Sequence, residues 1–174
     1  MRAALPLAVA LMLAGCGGGE PASEADRAPA AGLGAPDLRL PPQAADFPAL
    51  AGKDCADVVQ FYLEAIGGGE WARAALVWDD PVVDAARLEA VFAGYKLPQV
   101  EWTEPFVEGA AGSLYCTVAG KLTDAADLAK PMREGTLLLR RANDVPGATA
   151  DQLRWTLQSS TFVENLARSS RGEP

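Results

Sequence analysis

The chain contains no histidine. That excludes imidazole general acid–base catalysis, Ser-His and Cys-His nucleophile pairs, and metal sites built on imidazole. Cysteine is scarce: three residues are too few for a disulfide scaffold or a Cys-only zinc site. Positive charge is the minority. Fifteen Lys and Arg stand against 23 Asp and Glu, a net charge of −8, the reverse of the basic footprint that nucleic acid requires. No apolar run reaches the ~20 residues needed to cross a bilayer. No internal repeat is evident, and nothing calls for a cofactor. What is present is an ordinary globular composition, 49% hydrophobic and 22% charged. Its length suits one domain with extensions.

The N-terminus pairs Arg2 with a short apolar run, Ala3 to Leu13, and then small residues. That is the pattern of a secretory signal, expected over residues 1–15. Leu13-Ala14-Gly15-Cys16 resembles the lipobox of bacterial envelope lipoproteins. The resemblance implies cleavage before Cys16 and lipidation of its thiol, with more than one acyl chain giving stable anchoring. It also implies a periplasm-facing protein of the cell envelope. Gly17 stands where an Asp is associated with inner-membrane retention, which favours the outer membrane. The competing reading is an ordinary signal peptide with a coincidental cysteine.

Residues 17–45 hold five Gly, five Pro and eight Ala and no aromatic. Such a segment buries too little apolar surface to offset chain entropy, so residues 16–45 read as a flexible tether. A coil of this length spans ~30 Å. The globular domain is expected over 46–166, with a frayed tail over 167–174.

Within the domain, Asp54 can cap a helix on which Cys55, Val59, Tyr62, Leu63 and Ile66 share a face. Gly67-Gly68-Gly69 stops it; without a Lys-Ser/Thr ending these glycines are not a phosphate loop. Glu70 to Trp78 reads as a second helix. A third begins at Asp80-Pro81 and runs to about Gly94, with Leu88, Val91 and Phe92 inward. Strand patterns follow. One runs through Val100, Trp102 and Val107, bent near Pro105. A second covers Ser113 to Val118 with Leu114, Cys116 and Val118 on one face. Thr136 to Leu139 suits a strand covered on both faces. Leu153, Trp155 and Leu157 alternate in a last, half-buried strand. The reading is an α+β domain, three N-terminal helices packed on an antiparallel sheet of about four strands.

This order, with Tyr62-Leu63 and Ala65-Ile66 followed by Trp71 and Trp78, resembles the nuclear-transport-factor-2-like superfamily. The stretches Val58–Trp78 and Gly112–Trp155 are also similar to alphaproteobacterial lipoproteins. The resemblance implies a curved sheet wrapped around a helix as a cone with a pocket, and by analogy a homodimer. A cystatin-like helix-on-sheet arrangement is the alternative. The isomerase constellation of that superfamily has no match here, and its histidine-dependent dehydratases are excluded.

With Cys16 assigned to lipid, Cys55 and Cys116 remain, either bridged or reduced in the core. Tyr62, Trp78, Trp102, Tyr115 and Trp155 are the aromatics expected near a pocket, with core filling as the plainer alternative. Asp79, Asp80, Asp84, Glu101 and Glu104 are the carboxylates an enzyme could use, Asp80 being better explained as a cap. The Arg140-Arg141 pair reads as a solvated strand end. Three functions compete. The favoured one is a non-catalytic, membrane-tethered module binding a small apolar ligand or an envelope protein. The others are a small isomerase or hydrolase with a carboxylate–Tyr site, and an assembly factor with no ligand.

Overall fold

The computed structural model of the chain describes residues 40–163 and 166–167. The signal segment, Cys16, most of the tether and the tail beyond 167 lie outside the described residues.

A helical turn at Ala44–Asp46 and a short helix α1 (Pro48–Ala51) lead into α2 (Cys55–Gly67). The turn straddles the expected tether boundary, and Ala44 and Phe47 pack against the core. Helix α2 starts where the Asp54 carboxylate accepts the Ala56 N–H at 2.9 Å. It buries Cys55, Val58, Val59, Phe61, Tyr62, Ala65 and Ile66. The chain then turns through Gly69, whose φ of +68° suits a residue without Cβ. Helix α3 (Trp71–Ala75) is shorter than its sequence suggests.

Helix α4 (Ala85–Phe92) begins later than the Asp80-Pro81 signal predicts. The Asp80 carboxylate accepts the Val82 N–H at 3.0 Å, and the Val83 N–H donates to the Asp80 carbonyl at 3.0 Å. This turn uses Asp80 before a helix can start. Asp84 caps instead, accepting the Arg87 N–H at 2.8 Å.

The sheet is antiparallel and has six strands among the described residues: β1 (Pro98–Trp102), β2 (Phe106–Ala110), β3 (Ser113–Asp124), β4 (Arg133–Ala142), β5 (Thr156–Ser160) and β6 (Leu166–Ala167). Their order is β1-β3-β4-β5-β6, and β2 also pairs with β3. Thus the single bent strand expected around Pro105 is two strands, each laid against a different stretch of β3. An isolated parallel bridge from Trp78 to Leu157 ties the chain after α3 to β5. The Thr149–Gln152 capping box makes a short helix, α5 (Ala150–Leu153), where strand alternation was expected to begin.

One face of the sheet is covered. Cys116, Val118, Leu122, Leu137, Leu139 and Leu157 join the buried faces of α2, α3 and α4 in one core. Along β4 burial alternates, with Thr136 exposed and Leu138 half-buried, so this strand is not sandwiched on both faces as its apolar run suggested. Cys55 and Cys116 are joined by a disulfide that fixes the start of α2 to the middle of β3.

Candidate functional site

The five expected pocket aromatics do not gather around one pocket. Tyr62, Trp78 and Trp155 are 2%, 6% and 1% exposed and belong to the core. Tyr62 and Trp78 meet edge to face, with centroids 6.3 Å apart. The Trp155 Nε1–H donates to the Lys53 carbonyl at 2.9 Å, and the Arg141 guanidinium lies over the Trp155 ring. Neither the Tyr62 hydroxyl nor the Trp78 Nε1 has a hydrogen-bond partner among the described residues, although both are buried. Burial pushes the Tyr62 phenol further into the protonated form, opposed weakly by the nearby Trp78 indole. This phenol therefore stays neutral at any working pH.

Tyr115 and Trp102 lie elsewhere. Cys116 points into the core, so alternation turns Tyr115 to the other face, opposite Arg140. Trp102 ends β1 and is half-buried. Opposite Gly120 and on the same face as Val100, it packs against the core, and it only borders an open cleft of about 640 Å³ over β1, β3 and β4, lined with Glu101, Thr103, Ala119, Gly120, Lys121, Glu134, Gly135 and Thr136. Glu101 is opposite Lys121, and Lys121 is opposite Glu134, so the three side chains form one row across the strands.

The remaining expected carboxylates are spread over separate places in the fold. Asp80 and Asp84 hold turns and helix starts, as above. Glu104 is exposed between β1 and β2. Asp79 lines a smaller cleft of about 240 Å³ with Arg140, Arg141, Asp151, Arg154 and Thr156. The arginines there are engaged within the fold: Arg140 donates to Ser113 Oγ, Arg154 to the Leu76 carbonyl, and Arg141 to Asp144. Asp144 also accepts from Lys53, and that hydrogen bond is the main reason its carboxyl is held below the usual range.

The most engaged carboxylate was not singled out from sequence. Asp124, 2% exposed, accepts the N–H groups of Lys96, Leu97 and Ala126 at 2.8, 3.0 and 3.1 Å. An Asp at a strand end followed by Ala-Ala is a legible turn signal, but the Lys96 and Leu97 partners come from 28 and 27 residues away.

The edge of the sheet is the remaining feature. All five residues of β2 are exposed, Phe106 at 64% and Val107 at 47%. Among the described residues no strand pairs with the outer side of β1 or β2. Among them, too, no group of His, Cys, Asp or Glu is arranged to hold a metal, and no helix is long and apolar enough to cross a membrane.

No family profile matches this chain, and no curated protein sequence does. Solved structures with some likeness include Bd1075 of Bdellovibrio bacteriovorus, at 8% identity and a TM-score of 0.43, over 64% of this chain and 40% of that one. Another is a protein of the NTF2-like family from Streptomyces avermitilis, described as a candidate dehydratase. It shows 12% identity and a TM-score of 0.39, over 59% of this chain and 88% of that one. This chain thus spans less than half the length of Bd1075. Neither likeness is close enough to assign a family or an activity.

Proposed function

We propose that this is a lipid-anchored, non-catalytic protein of the bacterial envelope whose nuclear-transport-factor-2-like domain captures an extended segment of another envelope protein on the edge of its sheet. The observation that carries this reading is β2. It is a fully exposed edge strand with an apolar start, Phe106-Val107, and it contains neither Lys nor Pro. Edges not meant for pairing are commonly blunted by such residues, and an edge left open accepts an added strand.

The partner segment is basic. Glu101, Glu104 and Glu108 lie along this edge, in a chain of net charge −8. A second copy of the chain fits less well. Antiparallel pairing of all five β2 residues with their own copy sets Glu108 opposite Glu108, a destabilising like-charge pair. The burial of Tyr62, Trp78 and Trp155 favours a protein partner over a small apolar ligand within the core. The commitment of Asp80 and Asp124, the buried carboxylates, to backbone N–H groups favours binding over catalysis. The lipobox-like Leu13-Ala14-Gly15-Cys16 supports the anchor, and the Gly/Pro/Ala segment supplies the reach from it.

The test is a photo-crosslinking residue at Phe106 in intact cells. It is expected to give one adduct with a different envelope protein, lost when Glu108→Lys reverses the edge charge. A crosslinker at exposed Val82 should give none. No adduct at 106, an adduct of two copies alone, or one indifferent to Glu108→Lys overturns the reading.

A further inference from the structure

Strand capture at β2 makes no use of the other end of the sheet, where β1 starts, β3 ends and β4 starts. We infer that this end, carried by the β3–β4 loop, is a docking surface for an anionic lipid bilayer, an inference that rests on the lipid-anchored reading above. The Asp124 carboxylate ties the approach to β1 to this loop, accepting the N–H groups of Lys96, Leu97 and Ala126. The Ala125 N–H donates to the Leu97 carbonyl at 2.9 Å. Two turns then shape the loop. The Asp127 N–H donates to the Asp124 carbonyl and the Lys130 N–H to the Asp127 carbonyl, each at 3.1 Å. The Asp127 carboxylate also accepts the Ala129 N–H at 3.2 Å. On this hydrogen-bonded frame Leu128 is 92% exposed, Met132 48% and Leu97 42%. Apolar side chains grouped in this way and rimmed by polar residues mark a contact surface.

Charge and position select the bilayer. Over residues 94–97 and 124–133, three cations, Lys96, Lys130 and Arg133, stand against two carboxylates, Asp124 and Asp127, in a chain of net charge −8. Asp124 is buried beneath its three N–H groups. Glu134, the next residue, is opposite Lys121 across the strands. Lys130 is held by the Gly94 carbonyl and lies over the Tyr95 ring, while Lys96 and Arg133 are exposed. At a bilayer surface, leucine and methionine enter the boundary between headgroups and acyl chains, and lysine and arginine meet lipid phosphates. Their long stems let the charged heads stay in the hydrated layer. A protein partner would need a surface matched to separate projecting side chains, whereas a fluid bilayer conforms to them. The described chain also enters the domain on this side. Pro42 shares a groove with Gly69 and Trp71, Trp71 stacks on Phe92, Phe92 meets Tyr95, and Tyr95 carries Lys130. Gly67, at the end of α2, lies beside the Pro98 carbonyl. A tethered domain needs only a weak second contact, because attachment raises the effective concentration of the surface.

The test uses the full-length Cys16→Ser chain, held by an N-terminal oligohistidine tag on vesicles of phosphatidylethanolamine and phosphatidylglycerol that contain a nickel-chelating lipid. Attachment is then independent of Cys16, so a failure of lipid anchoring, read by fatty-acid labelling, is distinguishable from a failure of this contact. With Cys55 and Cys116 bridged, Met132→Cys supplies the one free thiol for an environment-sensitive fluorophore. Its emission is expected to shift to the blue and to be quenched by nitroxide-bearing acyl chains. The same label at Val145→Cys, exposed on the β4–β5 connection at the far end of the sheet, should show neither effect. Leu128→Asp should reduce quenching at 132 to the level of the Val145 label, and Lys96→Glu with Arg133→Glu should do the same. Leu128 is exposed, so thermal unfolding should be unchanged by Leu128→Asp. Phosphatidylcholine in place of the anionic mixture should remove most of the quenching. The inference is overturned if the label at 132 is not quenched, if 132 and 145 are quenched alike, or if either set of substitutions changes nothing. It is also overturned if phosphatidylcholine serves as well, or if the blue shift appears without vesicles as protein concentration rises, the mark of a second copy of the chain. These outcomes are independent of the crosslink at Phe106.

Discussion

Asp124 shows how a single carboxylate can organise a fold without belonging to any catalytic site. Its oxygens gather three backbone N–H groups, from Lys96, Leu97 and Ala126. The hydrogen bond from Lys96 contributes most to holding its acidity below the usual carboxylate range, and burial opposes it. A carboxylate with a depressed folded pKa stabilises above its unfolded pKa of ~3.9 and loses that contribution as pH falls through the folded value. Asp124→Asn should therefore be less stable than the wild type near neutral pH. The gap should close on acidification, as read from urea midpoints between pH 2 and 7. A gap that stays constant over that range would assign the effect to packing instead. Tyr62 makes the opposite case. Its hydroxyl is buried without a hydrogen bond to any described residue, a cost of about 1–3 kcal/mol that Tyr62→Phe would relieve. The variant should match or exceed the wild type in stability. A clear loss would reveal a partner for the hydroxyl, such as an internal water.

Among the elements, the Cys55–Cys116 bridge joins a helix start to a central strand across a separation of 61 residues. Closing such a loop restricts the unfolded chain by about 4 kcal/mol in the entropy model. Replacing both cysteines with Ala should lower unfolding free energy by about that amount in urea, and a loss under ~1 kcal/mol would count against a mainly entropic effect. The partners were legible because both lie on apolar faces of their elements. Helix α2 was legible for the same kind of reason, since its cap, its periodicity and its glycine stop all lie within the segment. Helix α4 was displaced because Asp80 and Asp84 are equivalent as caps in sequence, and only the turn at Val82–Val83 decides between them. The division of β1 from β2 was hidden because it depends on how each pairs with β3. Gly120 and Gly135 carry the same lesson. They oppose each other, and a Cβ would meet the Glu101 carbonyl at 2.5 Å in one case and the Phe162 ring at 2.6 Å in the other. Neither close approach can be read from a linear pattern.

At the scale of the whole molecule, the proposal rests on an anchor at Cys16 and an open sheet edge at β2. Cys16→Ser should move the protein from the membrane fraction to the soluble fraction of the envelope and abolish incorporation of labelled fatty acid. Label retained by the variant would exclude Cys16 as the lipidated residue. The net charge of −8 should keep the released domain soluble and make partner association weaken with salt.

The sequence by itself determined the properties that are local or additive. These are the absence of histidine chemistry, the acidic balance, the lipobox-like leader, the low-complexity segment behind it, and a helices-then-strands order, because each depends on residues near one another or on a sum. Tertiary structure alone decided where the aromatics go. Tyr62, Trp78 and Trp155 became core, Trp102 packed against it from the end of β1, and Tyr115 took the opposite face of the sheet. Side-chain direction in a strand reverses with every residue, so a shift of one in pairing exchanges inside for outside. That pairing is set by β3, from a dozen or more residues away.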